Sequence, residues 1–453
     1  MRAWSPRVVA EAAGAELVSQ AHGVAQGSPS GAAVAAAPGD AERLAGPVRA
    51  TIDSRHVGPG DLFVGLPGAR VDGGRFASSA LADGAGGVLV APQHAAAAAV
   101  VAPADAVVLA AEDPLAALQR LATAWRRALG ADVVAITGST GKTSTKDVLA
   151  AMLRPHRHTA ATRENLNTEI GVPLSILEAP PGTEVLVLEL AMRGAGQIAE
   201  LTAIAEPDVG VITNIGPVHI ELLGSIEAIA AAKAELLAGL RPGATAVLPA
   251  AEPLLEPFLR DDVHTVRFGP GGDVTESDLA GLELGFASAH MRLNATAALA
   301  AARAVGVEPA GRIEVALSAM RGQQRVLADD VTVVEDCYNA NPMSMRAALD
   351  DLQRSAPGRR VAVLGDMLEL GEQAAAHHVA IGEHARRAGV ELLVTVGPHA
   401  AAMAGDHAVA DAAGAAALVP GLLAPGDTVL VKASRGVGLE AVVAALVDAR
   451  PAA

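Results

Sequence analysis

Short β-branched runs alternate with stretches of helical period along most of this 453-residue chain. The run Val133 to Thr137 leads into a glycine-bounded turn, then into Val148, Leu149 and Met152 at helical spacing. That order predicts strand, loop and helix. Val185 to Leu190 and Val209 to Thr213 read as further strands, Ser225 to Leu240 as a helix closed by Pro242-Gly243, and Thr245 to Leu248 as another strand. From Val331 the alternation restarts. Strands are expected at Val331 to Val334, Arg360 to Leu364, Leu392 to Val396 and Thr428 to Val431, with one helix begun by Ser344 and another running to Arg387. Strands alternating with helices predict parallel sheets covered on both faces, an α/β fold. Nearer the start, Val48 to Val64 and Gly87 to Val90 supply strands for a small mixed domain. Asp113-Pro114 then starts a helix to about Ala128, with Leu115, Leu118 and Leu121 on one face. Residues 19 to 48, rich in Gly, Ser, Pro and Ala and without period, read as a mobile loop.

Length allows about three domains of ordinary size. The 34 basic and 50 acidic residues leave a net charge of −16, which argues against a nucleic-acid surface but not against a local anion pocket. The alanine-rich stretch Gly86 to Ala111 carries Pro92, His94, Pro103 and Asp105, so it does not predict a membrane span. The first residues run into Glu11 and Glu16 rather than an apolar signal core. Cys337 is the single cysteine, so no intrachain disulfide forms. A cytoplasmic protein without membrane insertion is the expectation.

The turn after Thr137 is the most informative element. Gly138-Ser139-Thr140-Gly141 precedes Lys142, Thr143 and Ser144 at the predicted helix start. Backbone N–H groups at a helix N-terminus wrap an anionic phosphate, and the macrodipole favours it there. Lys142 supplies a point charge for the outer phosphates, and the Thr143 hydroxyl suits Mg²⁺. The usual phosphate-loop spacing would place glycine at position 136, where Ile136 stands, so this turn is a tighter variety.

Open α/β sheets present ligand-binding groups at the carboxyl ends of their strands. Glu189 closes the run from Val185, and His219 follows the run from Val209. Each also suits a plain loop residue, but a neighbouring phosphate loop favours metal ligation. Lys233 falls in mid-stripe of its helix, among Ile226, Ile229, Leu237 and Leu240, while Glu227 and Glu235 lie off the stripe. A lysine so placed must snorkel out, find a partner or lose its charge. Farther on, Asp336-Cys-Tyr-Asn339-Ala-Asn341-Pro342 suits a tight polar turn before a helix. Gly365-Asp-Met-Leu-Glu-Leu-Gly371 and Lys432-Ala-Ser-Arg-Gly436 end two more strands and are candidates for contacting an anionic or zwitterionic ligand at the sheet edge.

Together these strings resemble the Mur ligases, the ATP-dependent amide-forming enzymes of peptidoglycan synthesis. The resemblance runs from about Thr51 to Glu440 and rests on the phosphate loop, on Asp53-Ser-Arg55 with Asp72-Gly73, and on Asn165-Leu-Asn167. It rests also on Thr213-Asn-Ile-Gly-Pro-Val-His219 leading to Lys233, and on the Tyr338-Asn-Ala-Asn-Pro342 and Leu368-Glu-Leu-Gly371 strings. The last two point to the branch that adds D-alanyl-D-alanine to UDP-N-acetylmuramoyl-tripeptide. The resemblance implies a UDP-sugar-binding N-terminal domain over residues 1–110, a central P-loop ATP-binding domain over 111–317, and a C-terminal Rossmann-like ligase domain over 318–453.

It also implies roles. Ser54, Arg55, Asn165 and Asn167 would serve the UDP-sugar substrate, and residues 138 to 144 the ATP phosphates. Asn294 would contact adenine; Arg321, with Arg325 as a rival, would join Asp336 and Asn339 in closing over the nucleotide. Thr143 and Glu189 would ligate one Mg²⁺, and His219 a second, with a carbamylated Lys233 as a further ligand. Lys142, Lys233 and His219 are thus the catalytic candidates. The substrate carboxylate would be phosphorylated by ATP and the acyl phosphate attacked by the dipeptide amine, in a monomer. The chain departs from the pattern at Thr140, at Asn167-Thr168, before Asn294, and in an apparently shortened stretch between Phe268 and His290. The rivals are another Mur-type ligase with a different amino-acid substrate, a non-catalytic ATP-binding relative, and a P-loop kinase. The N-terminal strings have no place in a kinase.

Overall fold

The computed structural model describes residues 4–18, 46–218, 220–286 and 288–451. The expected loop over residues 19 to 48 falls almost wholly outside them, and so does His219. Three larger sheets follow one another along the chain. The first contains β1 (Glu16–Val18), β2 (Ala50–Thr51), β3 (Leu62–Val64), β4 (Gly87–Val90) and β5 (Val107–Ala110) in the order β1-β5-β4-β3-β2. Only β1 runs antiparallel to its neighbour. Phe63, Leu81, Val88, Val90 and Val108 belong to its buried core. The stretch Val48 to Val64 is not one strand. Asp53 accepts a hydrogen bond from the N–H of Arg55 and starts a 3-10 turn, Ser54–His56, which breaks the run into two short pieces.

The second sheet holds β6 (Asp132–Thr137), β7 (Thr159–Ala161), β8 (Val185–Glu189), β9 (Val209–Ile212), β10 (Thr245–Pro249) and β11 (His264–Phe268). Its order is β11-β10-β9-β6-β8-β7. The interior strands β8 and β9 are buried along their whole length, as near-continuous apolar strands of a two-sided sheet must be. The helix Pro114–Leu129 precedes β6, capped by Asp113 as expected; Leu118 and Leu121 are buried and Leu115 only half-buried. A small parallel pair, β12 (Leu282–Leu284) with β13 (Gly311–Ile313), follows.

The third sheet holds β14 (Gln323–Val326), β15 (Thr332–Glu335), β16 (Arg360–Gly365), β17 (Leu392–Val396), β18 (His407–Val409) and β19 (Thr428–Lys432) in the order β14-β15-β19-β16-β17-β18. All but β14 run parallel to their neighbours. Its two faces carry separate apolar clusters, one around Val361, Val429 and Leu446 and one around Leu349, Leu364 and Ile381. The helix expected from Ser344 begins two residues earlier, at Pro342. Asn341 is the cap, and its side chain and that of Ser344 exchange bonds with each other's backbone N–H, so Ser344 is the third helical residue. By its contacts the chain divides into two compact units, residues 1–135, 157–190 and 199–208 in one, and residues 136–156, 191–198 and 209–453 in the other.

Candidate active site

The phosphate loop leaves β6 and enters the helix Lys142–Leu153. Gly138 has φ +145° and Gly141 φ +78°. A Cβ at Gly138 would collide with the Thr213 hydroxyl, and one at Gly141 with the Asn294 side-chain amide. Both glycines are therefore required by conformation and by space. The helix has no side-chain cap. Its first turn thus presents backbone N–H groups that an anion would satisfy.

The segment after β9 braces this loop from behind. The Thr140 N–H donates to Asn214 Oδ1 at 2.9 Å, and Asn214 Nδ2 donates back to Thr140 Oγ1 at 2.8 Å. Thr213 Oγ1 donates to the Thr140 carbonyl at 2.5 Å. The Ser139 hydroxyl donates to the Gly216 carbonyl and accepts from the Gly216 N–H, at 3.0 and 2.9 Å. Ser139 and Thr140 thus turn their side chains to residues 213–216. Sequence reasoning used that string only as a family marker and missed its bracing role; its place directly after a strand was the available signal. Lys142 Nζ donates to the Gly138 carbonyl at 2.7 Å, which holds the ammonium over the loop.

Lys233 does not snorkel. On the helix Ile226–Ala238 it is 2% exposed, packed beside buried Ile229 and Leu237. Burial lowers its pKa well below the ordinary lysine value, and the charge of Lys142 lowers it further. An uncharged amine is the form that captures CO₂. Asn294 lies on the helix Ala289–Ala304, buried against Gly141.

Glu189 ends β8 and is 2% exposed. Asn167 Nδ2 donates to its Oε1 at 2.9 Å, while Oε2 is buried without a hydrogen-bond partner among the described residues. A buried carboxylate oxygen left unsatisfied is costly, and a cation would relieve it. Among the described residues no three His, Cys, Asp or Glu side chains gather into a group fit to hold a metal alone. Asn165 is exposed.

In the N-terminal sheet region, Arg55 is tied to Asp53 by a bidentate pair at 2.9 and 2.6 Å, which holds the Asp53 carboxyl well below its usual range. Ser54 stands in the same 3-10 turn. Asp72 accepts from the Gly74 N–H at 2.9 Å and pairs with His94 Nε2 at 2.7 Å.

At the third sheet, Lys432 is the last residue of β19, at the strand's carboxyl end as expected, and β19 lies between β15 and β16 in the sheet. Its amine donates to Asp336 Oδ2 at 2.6 Å and to the Asn339 carbonyl at 3.0 Å. The Asn339 side chain accepts from the Ala340 N–H at 2.8 Å. Arg321 lies 4.0 Å from the centre of the Tyr338 ring, a cation–π contact, whereas Arg325 pairs with Glu335 at 3.2 Å.

Comparison with known proteins bears on the whole chain. The family model for the Mur ligase catalytic domain matches residues 49–126, that for the Mur ligase middle domain residues 136–302, and that for the Mur ligase glutamate ligase domain residues 311–435. The UDP-N-acetylmuramoyl-tripeptide–D-alanyl-D-alanine ligase of Mycobacterium tuberculosis is 39% identical over 92% of this chain and 95% of its own length. MurF from Acinetobacter baumannii superimposes with a TM-score of 0.77 at 30% identity, covering 88% of this chain and 93% of that one. MurF ligase from Thermotoga maritima, solved in complex with ADP, gives 0.75 at 30% identity over 88% of this chain and 97% of that one. With matches of this extent, the chain belongs to the Mur ligase family, as one of its MurF members with their three-domain α/β fold.

Proposed function

We propose that the chain joins D-alanyl-D-alanine to UDP-N-acetylmuramoyl-tripeptide in an ATP-dependent, ADP-forming ligation that makes a peptidoglycan precursor. The observation that carries the reading is the uncapped helix behind Lys142, in a chain 39% identical to a ligase of that name. The tripeptide's terminal carboxylate attacks the γ-phosphate of ATP, the bond from the γ-phosphorus to the bridging oxygen breaks, and ADP leaves. Lys142 and the N–H groups at the start of the helix Lys142–Leu153 offset the charge developing there. The acyl phosphate is then attacked by the dipeptide amine, and phosphate departs. Gly138 to Ser144 bind the phosphates, with Asn294, Arg321, Asp336 and Asn339 toward the rest of the nucleotide. Ser54, Arg55, Asn165 and Asn167 serve the UDP-sugar substrate.

Two Mg²⁺ ions complete the proposal, with Thr143, Glu189, His219 and a carbamylated Lys233 as the residues that would hold them. Bound there, they supply charge neutralisation to the phosphates. The orphaned Glu189 Oε2 and the charge-averse site of Lys233 support this part of the reading. The assignment of residues 1–110 to the UDP-sugar, 111–317 to ATP and 318–453 to ligation belongs to the same proposal, as does a monomer working in the cytoplasm. Among the described residues no helix is long and apolar enough to cross a membrane.

A coupled ADP-release assay tests the reaction. Release that requires both UDP-N-acetylmuramoyl-tripeptide and D-alanyl-D-alanine is expected. Release driven by a different amino acid or dipeptide, or no release with both substrates present, overturns it.

A further inference from the structure

His378 has no part in the chemistry above, yet it is fully buried, at 0% exposure, on the helix Ala374–Arg387. Both of its ring nitrogens bond to backbone. The Met367 N–H donates to Nε2 at 2.9 Å, and Nδ1 lies 2.6 Å from the Ala374 carbonyl. An amide N–H only donates and a carbonyl only accepts, so these partners fix the ring as neutral, with its proton on Nδ1. A second proton, on Nε2, would point N–H at N–H and remove the one bond that ties the helix to Met367.

Met367 belongs to the loop from Asp366 to Gly371 that leaves β16. The rest of that loop faces other parts of the same compact unit. Glu369, held at φ +63°, pairs with Arg193 at 4.0 Å. The 3-10 turn Gly371–Gln373 packs on the helix Ile220–Leu223, with Gly371 beside Glu221. Leu368 is anchored through its N–H to Ser434 Oγ at 3.0 Å. His378 is therefore the internal support of a loop that meets the segments following β8 and β9.

We propose that His378 is a positioning residue for the ligation: its neutral ring holds loop 366–371 in the shape that engages Arg193 and Glu221, and protonation releases it. The proposal rests on the ligase reading only where turnover is concerned. Ionisable groups around the ring are Asp366 on the loop, His377 on the same helix, His399 stacked on it at 5.9 Å, and Arg346, whose charge acts on His377. Asp366 favours the charged ring, while His377 and His399 oppose it. Burial is the largest influence and also opposes the charge, so the ring titrates below the ordinary histidine value. The sign follows. The unfolded or opened loop takes up the proton first, so the closed loop is favoured above the ordinary imidazole range and is lost as pH falls below it.

Hydrogen exchange of the 366–371 peptide tests this directly, in the full-length protein between about pH 8 and about pH 5.5, with rates corrected for intrinsic pH dependence. Protection is expected to fall by up to about tenfold per pH unit on the acid side, as one linked proton requires. In His378→Gln, an amide that can still accept from Met367 and donate to Ala374 but cannot titrate, the corrected protection should be flat. A flat profile in the wild type, or the same slope in both proteins, overturns the proposal. The acid-side decline of kcat in ADP release should also be shallower in His378→Gln; an unchanged decline overturns the link to turnover. The exchange readout needs no catalysis, so failure of the ligase reading shows separately, as absent ADP release from the wild type.

Discussion

The second and third sheets present polar residues at the carboxyl ends of parallel strands, but they treat them in opposite ways. At the third sheet nearly every such group is spoken for. Lys432 pairs with Asp336, Asn341 caps its helix, Asp366 accepts from the Ala400 N–H at 2.6 Å, and Ser434 bridges the Leu368 N–H to the Ala340 carbonyl. Among the described residues Glu189 Oε2, Thr137 Oγ1 and Thr145 Oγ1, along the second sheet and its loops, are buried without hydrogen-bond partners; in the third-sheet region Arg359 Nε, Arg360 Nε, His377 Nε2 and Glu440 Oε2 are too, but of these only Glu440 follows the carboxyl end of a strand. The helix start at Lys142 is uncapped, and Lys233 is buried against its charge. Unsatisfied buried polar groups are expensive, and a buried carboxylate such as Glu189 at the end of β8, beside an uncapped helix start, suits a site arranged for what binds there. At the third sheet the strand-end loops are instead held mostly by the protein's own side chains.

The sharpest way to break this contrast is to remove a group from each side. Lys142→Ala should lower kcat for ADP release by about a thousandfold, near 4 kcal/mol, because the lost charge acts on the phosphate being transferred. Its thermal midpoint should move far less than turnover does, because the bond to the Gly138 carbonyl is given up together with the repulsion that Lys142 exerts on buried Lys233. A variant that keeps more than a tenth of wild-type turnover would falsify the placement of Lys142 over the phosphates. Lys432→Met should do the reverse on stability. It strands Asp336, whose partner amine is almost wholly buried, and should cost about 3 kcal/mol in a denaturant titration. Parity with the wild type would mean the third-sheet network is dispensable and that its completeness says nothing about function.

Much of this was legible in the sequence. The strand-loop-helix around Gly138 to Lys142 follows from a β-branched run meeting two glycines, because little else satisfies that spacing. Lys233 was visible as an anomaly, a cation in the middle of an apolar stripe, but the stripe alone left snorkelling and burial open, and the structure shows burial. What escaped were short strands and long-range partners. β1, β5, β7 and β18 are three or four residues long, too short for period to separate strand from loop, and they are fixed by pairing with distant chain. The bracing of Thr140 by Asn214 spans 74 residues, and the hold of His378 on Met367 is invisible to any local pattern. The start of the helix at Pro342 was missed by two residues because Asn341 and Ser344 are both good caps, and only geometry shows which one closes the first turn.

Lys233→Met makes the smallest change and separates the two regions most cleanly. The folded chain holds this amine with a pKa well below the usual lysine value, chiefly through burial. The unfolded chain protonates it normally, so folding releases a proton and stability falls as pH drops below the ordinary lysine range, until the folded pKa is reached. Methionine has nearly the same length and no charge to lose. The substitution should therefore raise stability by about 1–2 kcal/mol at neutral pH, measured without metal, nucleotide or bicarbonate. The gain should shrink as pH approaches about 10, where the unfolded lysine also begins to lose its proton. ADP release should be lost in the same variant, with partial return on adding a short-chain carboxylic acid to Lys233→Ala, if a carbamate is what the position supplies. Stabilisation with inactivation would mark Lys233 as a group kept for chemistry at the expense of the fold. A loss of stability instead would make it a structural lysine like Lys432, and the distinction between the two sheets would fail at the residue on which it most depends.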